Sequence, residues 1–537
     1  MRCGTTGASE VYFNGRIYTV DAEFSVAEAM VVKEDRLIYV GTNDVAEKFI
    51  DNATKVIDLK GKTVIPGLIE AHMHYGWFSQ SLIEVNGLER KKEDILEDVR
   101  RRAECLPEGE WIRGRGWNHV NWGTGFPSKQ ELDEVAPNNP VCLIRTDCHS
   151  YWVNSKALEA AGIDASTADP DGGEIIREEN GEPSGILVDT AGDILLEKIP
   201  PYSRNIQLKA LLKAQEYLLS LGFTSIMDAG AEISELEAME ALCKSGDQKL
   251  RLYVYAKEGE SAEHCYKKGI QIGMYDNRMT VRGVKLFCDG STGSRGAALL
   301  EDYADRPGHK GIFRYTDEEM YNTVREARKN GFQLSVHVNG DASVEQVINA
   351  YIKVLDEMPL EDNRWRLEHY QLITKEQLAK TVEYGFIPSM QFVQCTSDRV
   401  MITERYGKDT GRLDRAYIWR DIVDAGLHIA NGSDAPVELV NPYHGIYAAI
   451  TRKGRDGQPE DGWYTNQCLS REEALRADTI WAAEAHFEEN MKGSLESGKL
   501  ADFTVLDRDI INCSPKDIID TQVLMTVIGG EVVYEKK

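Results

Sequence analysis

Apolar and polar positions follow two rhythms along this chain. Near the start, "EVYFNGRIYTV" alternates around Asn14-Gly15, and "AMVVKEDRLIYVG" alternates around Glu34-Asp35. Both patterns predict short hairpins. At the far end, "ADFTVLD" and "VLMTVIGGEVVYEKK" alternate again, the latter turning at Gly529-Gly530. Isolated hairpins are marginal without a larger sheet. One small β-domain built from both termini is the economical reading, and two unrelated end decorations are the alternative. Between the ends, four segments share one form, an amphipathic stretch closed by Gly and then a strand: "LGFTSIMDAG", "NGFQLSVHVNGD", "YGFIPSMQ" and "AGLHIANGSDAP". Glycine past a helix end supplies a left-handed cap. Helix alternating with buried strand predicts a parallel sheet with helical crossovers. Strands are expected at 64–72, 223–228, 250–256, 281–288, 332–338, 364–370, 386–391 and 427–433. Eight strands suit a (β/α)8 barrel with its site at the carboxyl ends, although an open doubly wound sheet has the same rhythm.

Parity narrows the candidates, because strand positions an even number apart share a face. From each capping glycine, Gly222 leads to Asp228 at +6, Gly331 to His337 at +6, Gly385 to Gln391 at +6 and Gly426 to Asp434 at +8. These four side chains are expected together at one rim. His72 and His74, in "VIPGLIEAHMHYGW", share a face at the tip of the first strand. His369 ends the strand in "RWRLEHYQ", and Lys285 stands inside the apolar strand of "VRGVKLFCDGSTGSRGAAL". A buried lysine is costly unless paired or neutral. A salt bridge to Asp434 or Asp228 would satisfy it. So would addition of carbon dioxide to the neutral amine, which makes an anionic carbamate able to bridge two cations.

Composition bounds the remaining classes. The 537 residues exceed one ordinary domain but accommodate a barrel with additions. Hydrophobic residues make up 42% and charged residues 28%, the proportions of a soluble globular protein. No apolar run approaches the ~18 residues of a membrane span, and the first residues show no apolar signal core. Ten cysteines without a C-x-x-C fit reduced thiols in a cytoplasm. A net charge of −26 without a basic cluster repels a phosphate backbone, so nucleic acid is not an expected partner. The acidic surface is compatible with a homodimer.

The ordered set H-x-H, Lys, His, His, Asp on strands one, four, five, six and eight resembles the amidohydrolase superfamily of metal-dependent hydrolases. In detail the chain is similar to the amidohydrolase-3 branch, which includes N-substituted formamide deformylases. "VIPGLIEAHMH", "GEPSGILVD", "VKLFCDGSTGSRGAAL", "HVNGDAS", "NGSDAPVE" and "GSLESGKLADFTVLD" carry the resemblance over nearly the whole chain. It implies a TIM barrel with a composite β-sandwich from both termini and an insertion after the first barrel strand. The resulting division is residues 1–63 (sandwich), 64–85 (first barrel strand and loop), 86–204 (insertion or lid), 205–490 (rest of the barrel) and 491–537 (sandwich). It further implies that His72, His74, Lys285 and Asp434 bind one divalent metal, and that Lys285 as a carbamate, His337 and His369 bind another. Zinc is the expected ion, with manganese, iron or nickel compatible with the same ligands. A metal-bridging hydroxide would attack a small amide-type substrate, with Asp434 as general base and then general acid.

The insertion holds Trp111, Trp117, Trp122 and Trp152, which could line an apolar pocket or form a small core. Trp117 is a candidate substrate contact. "RTDCHSYWVNSKAL" offers Asp147 and His149. The resembling family reads Asp-Gly-His there, and Cys148 departs from it. His149 is a candidate carbonyl or oxyanion partner. Asp289 and Arg295 could face the pocket or brace their loop. A mononuclear deaminase of the same superfamily is the alternative enzyme, but it commonly places a Glu three residues after the strand-five histidine, and Gly340 stands there. A non-catalytic binding or regulatory relative would be expected to have lost ligands, and none is lost.

Overall fold

The computed structural model describes residues 8–537 apart from 88, 89, 146–149 and 171. The chain divides into two compact units, Met1–Gly76 with Ala214–Lys537, and Trp77–Lys213.

The first unit holds the barrel. Its strands are β1 (Leu68–Met73), β2 (Phe223–Ala231), β3 (Arg251–Lys257), β4 (Met279–Phe287), β5 (Gln333–Val338), β6 (Arg366–His369), β7 (Ile387–Met390) and β8 (Ala430–Asn431). They pair in parallel in chain order from β1 to β8. A short strand, Gln271–Gly273, adds to β4 in the antiparallel sense. Strands covered on both faces run apolar, which is why these segments read as nearly continuous hydrophobic runs. Helices close at glycine as expected: Lys375–Tyr384 ends in the left-handed Gly385 (φ 65°) before β7.

Two backbone hydrogen bonds bring β8 back to β1. Asp434 N–H donates to His72 O (2.7 Å) and His74 N–H to Ala435 O (2.9 Å). The approach depends on Gly432, where a Cβ would stand 2.4 Å from His72 N. Ladder pairing of β8 covers two residues rather than the expected seven, because the chain leaves β7 to reach His72.

The same unit contains the sandwich. One sheet runs Arg36–Gly41, Ala29–Lys33, Glu10–Phe13, Lys55–Asp58; the other runs Glu531–Glu535, Val523–Ile528, Phe503–Leu506, Thr63–Pro66, Arg16–Tyr18, Val26–Ala27. Tyr12, Met30, Val64, Phe503 and Val527 share its core, and Tyr12 meets Phe503 edge-on at 5.0 Å. The hairpins at Glu34-Asp35 and Gly529-Gly530 are present. The one expected at Asn14-Gly15 is not. Glu10–Phe13 and Arg16–Tyr18 belong to different sheets, and the turn is a corner, because Arg16 N–H is taken by Lys62 O. The run 64–72 is likewise two strands, one in each architecture, parted at Gly67. A buried ion pair, Arg251 to Asp502 (2.7 Å), ties the sandwich to β3.

The second unit is a six-stranded sheet in the order Gly173–Arg177, Pro183–Asp189, Ser150–Val153, Val141–Arg145, Ile112–Trp117, Val85–Asn86. The segment "GGEIIREENGEPSGILVD" forms its antiparallel edge pair. Among the described residues no helix is long and apolar enough to cross a membrane.

Candidate metal centre

The carboxyl ends of β1, β4, β5, β6 and β8 bring six sequence-predicted side chains to one mouth. Ring centroids lie 5.9 Å apart for His72 and His74, 4.9 Å for His72 and His369, and 4.4 Å for His337 and His369. Asp434 Oδ1 stands 3.4 Å from His72 Nε2 and 3.3 Å from His74 Nε2. Donor atoms of His72, His74 and Asp434 all fall within 4.8 Å of one another, close enough for one cation. His369 (φ 70°) and Asp434 (φ 61°) are both in the left-handed region, which is uncommon outside glycine. Such backbone persists where surrounding structure over-determines it, most often at functional sites.

Among the described residues, buried atoms at this mouth without a well-formed hydrogen bond include His72 Nε2, Lys285 Nζ and Asp434 Oδ1, the first and last only facing each other at 3.4 Å. Buried polar atoms are rarely left so, and these are two lone-pair donors and an amine able to become an anionic ligand. The set fits a divalent metal ion. The salt bridge considered for Lys285 is absent, since neither Asp434 nor Asp228 pairs with it. Burial pushes its amine down to about 8, against the opposing pull of Glu368 and Asp434.

Residues behind the mouth orient these groups. His72 Nδ1 meets Glu368 Oε2 at 2.5 Å. A carboxylate only accepts, so Nδ1 donates to it and Nε2 is the ring atom turned toward Asp434 and the mouth. Glu368 also accepts from Ser335 Oγ (2.7 Å) and Arg366 Nε (2.6 Å). Burial would raise the Glu368 carboxyl, but Arg366 and His72 outweigh it and hold it well below the usual range. Arg366 is bound in turn by Ala71 O, Ser389 Oγ and His486 Nε2. His369 Nδ1 pairs with Gln391 Oε1 (2.7 Å), and His337 Nε2 lies 3.0 Å from Asn339 Nδ2. Glu70 accepts from the backbone N–H of His72 and of Ser433, fixing the β1–β8 seam. Burial lowers His337, His74 and His369, the last to about 3, which favours their neutral forms. Burial opposes ionisation of Asp434, yet His72 and His74 hold its carboxyl well below the usual range. Gln394 Nε2 donates to Asp434 Oδ2 (3.2 Å).

Other sequence-stretch expectations fare differently. Asp228 does not join the rim: its carboxyl faces Glu235 and the Gly76 N–H and is raised by burial. A register shift in the β1–β2 pairing beside it alters the parity count. Asp289 braces its loop, accepting from the N–H groups of Ala298, Asn339 and Gly340 and from Ser343 Oγ, and its Oδ1 also stands 3.6 Å from His337 Nε2 at the mouth. Arg295 spends its guanidinium on Asp305. Trp117 is core rather than wall, fully buried, its indole N–H on Leu143 O (2.7 Å), packed with Trp122 and Trp152. His149 and Asp147 lie outside the described residues. Gln391, counted from Gly385, does reach the mouth beside His369, whereas Glu368, Arg366 and Gln394 were not singled out from the sequence. Arg366 and Glu368 do carry a signal there, two charges on one face of a buried strand.

Barrels that gather imidazole, lysine and carboxylate donors at the carboxyl rim form a class of hydrolases. Within that class the chain belongs to the Amidohydrolase family, whose model matches residues 55–534. It is 31% identical over 538 residues to Protein LONG AFTER FAR-RED 3 of Arabidopsis thaliana, covering 97% of this chain and 91% of the relative. It is 28% identical over 548 residues to N-substituted formamide deformylase of Arthrobacter pascens, covering 97% and 98% respectively. An uncharacterized metal-dependent hydrolase from Pyrococcus furiosus has a similar structure, with TM-score 0.79 and 27% identity over 94% of this chain and 100% of that one.

Proposed function

We propose that the protein hydrolyses an amide-type C–N bond of a small molecule with two divalent cations. His72, His74, Asp434 and Lys285 would hold one, and Lys285 as its carbamate, His337 and His369 the other. The observation that carries this reading is the convergence of His72, His74 and Asp434 donor atoms within 4.8 Å of one another, with His72 Nε2, Asp434 Oδ1 and the nearby Lys285 Nζ buried without a hydrogen bond among the described residues. The likeness to a formamide deformylase supports the amide class. Bound cations of this kind acidify a coordinated water and polarise a carbonyl.

The chain's own groups do the rest. Glu368 keeps the His72 proton on Nδ1, so that ring stays a lone-pair donor. Gln394 holds Asp434 Oδ2 in place. Asp434 accepts the proton of the attacking water and delivers it to the departing nitrogen. Amide nitrogen leaves poorly unless protonated, so this second transfer is where Asp434 contributes most.

Metal analysis of the purified protein, then a panel of small amides assayed separately for amine and ammonia release, tests the proposal. Amine release with about two cations per chain is expected. Ammonia release with one cation would favour the deaminase alternative, and full activity of metal-free protein would overturn both. No turnover with any amide despite bound metal would favour a binding role.

A further inference from the structure

The Trp77–Lys213 unit has a cavity of its own, of about 420 Å3, and every residue lining it belongs to that unit. The volume is that of small-ligand sites, roughly 300–1,000 Å3. Trp111, Tyr202, Leu106 and Ile206 give it flat aromatic and aliphatic walls, and Arg102 and Arg113 give it positive charge. The Arg113 guanidinium lies 3.9 Å over the Tyr202 ring. Its Nη2 is committed to Pro200 O, while its Nε is buried without a partner. Arg102 donates to the carbonyls of Ile83 and Glu84. Among the described residues neither arginine forms a salt bridge, although the charge of both acts on Glu84. Glu84 accepts from Tyr202 Oη (3.0 Å) and is raised by burial, and Glu110 sits exposed on the rim.

A buried guanidinium N–H without an acceptor is unfavourable until a ligand supplies one. The planar fork of arginine matches a carboxylate, and flat aromatic walls favour a flat apolar body. We propose that this cavity binds a small aromatic monocarboxylate, its carboxylate on Arg113 and its ring between Trp111 and Tyr202. None of its lining residues is a candidate metal ligand, and the proposal does not depend on the hydrolase reading.

Benzoate is a suitable probe, titrated calorimetrically into the full-length protein and into Arg113→Gln, Ser203→Trp and Lys285→Ala. Arg113→Gln removes the charge-assisted contact, and Ser203→Trp fills the rim from an exposed position that folding tolerates. Each is expected to weaken benzoate by about tenfold or more, the usual effect of one such hydrogen bond. Lys285→Ala should leave that affinity unchanged. Benzyl alcohol should bind wild type about tenfold more weakly than benzoate and be insensitive to Arg113→Gln. Absence of benzoate binding to wild type at millimolar concentration overturns the proposal. So does equal affinity in wild type and Ser203→Trp, or a loss confined to Lys285→Ala, which would place the anion at the metal ligands.

Discussion

Glu368→Gln separates the stability of the barrel mouth from its capacity to hold metal. The substitution keeps the shape of the side chain and removes its charge. Arg366, fully buried, loses its counter-ion but keeps Ala71 O, Ser389 Oγ and His486 Nε2. Breaking a buried pair by removing one partner costs about 3–5 kcal/mol. The contacts Arg366 retains place the expected loss near about 3 kcal/mol. A second effect acts through His72. Without a carboxylate on Nδ1, the imidazole is no longer fixed with its proton behind and its lone pair forward. Loss of such a partner weakens metal binding by about 10–100-fold, or roughly 1.4–2.7 kcal/mol. Denaturant unfolding of the metal-free protein reads the first effect, and zinc titration against a competing chelator reads the second. Destabilisation with zinc affinity within about threefold of wild type would make Glu368 only a partner of Arg366 and refute its orienting role. Unchanged stability and unchanged affinity would refute both halves.

Asp434→Asn should retain most bound metal yet reduce turnover by about 100-fold or more, as loss of a proton-transfer group does; near-normal turnover would remove Asp434 from the mechanism. Lys285→Ala should abolish activity and regain part of it with added short carboxylic acids that replace the carbamate, measured as acid-dependent turnover. Chelation should lower the midpoint of thermal unfolding and re-addition of zinc should restore it, because an ion bound only by the folded state stabilises it. His369 is held neutral down to about pH 3 in the folded state, against about 6.5 for a free imidazole. Its unfolded form therefore takes up a proton first as pH falls. Metal-free stability should be full above about pH 6.5 and decline toward pH 3, by at most about 5 kcal/mol for this group. A flat unfolding profile from about pH 7 to 4 would contradict it.

What could be read in advance depended on whether a residue's meaning was local. His337 was placed by counting from Gly331 along one regular strand, where parity survives, whereas Asp434, counted from Gly426, lies beyond the two-residue β8 with a left-handed backbone and reaches the mouth through its bond to His72 O. Lys285 stood out because one charge among Val284, Leu286 and their neighbours conflicts with a buried strand. Asp228 was counted the same way and misplaced, since the register shift between Ile226 and Asp228 depends on β1, about 150 residues earlier in the chain. Trp117 shows the same limit for apolar residues: a cavity wall and a core demand similar side chains, and only the contacts with Trp122, Trp152 and Leu143 O tell them apart. Glu368 is the instructive case. Its partner His72 is 296 residues away, so no local pattern connects them. The i, i+2 spacing of Arg366 and Glu368 between Trp365, Leu367 and His369 nonetheless places both charges on one face of a covered strand. Two opposite charges facing a barrel interior must satisfy each other and whatever else lies there, and the residue one place beyond Glu368 is a predicted ligand. The ion pair is therefore best understood as part of the metal site's support, with its value in where it directs His72 rather than in stability.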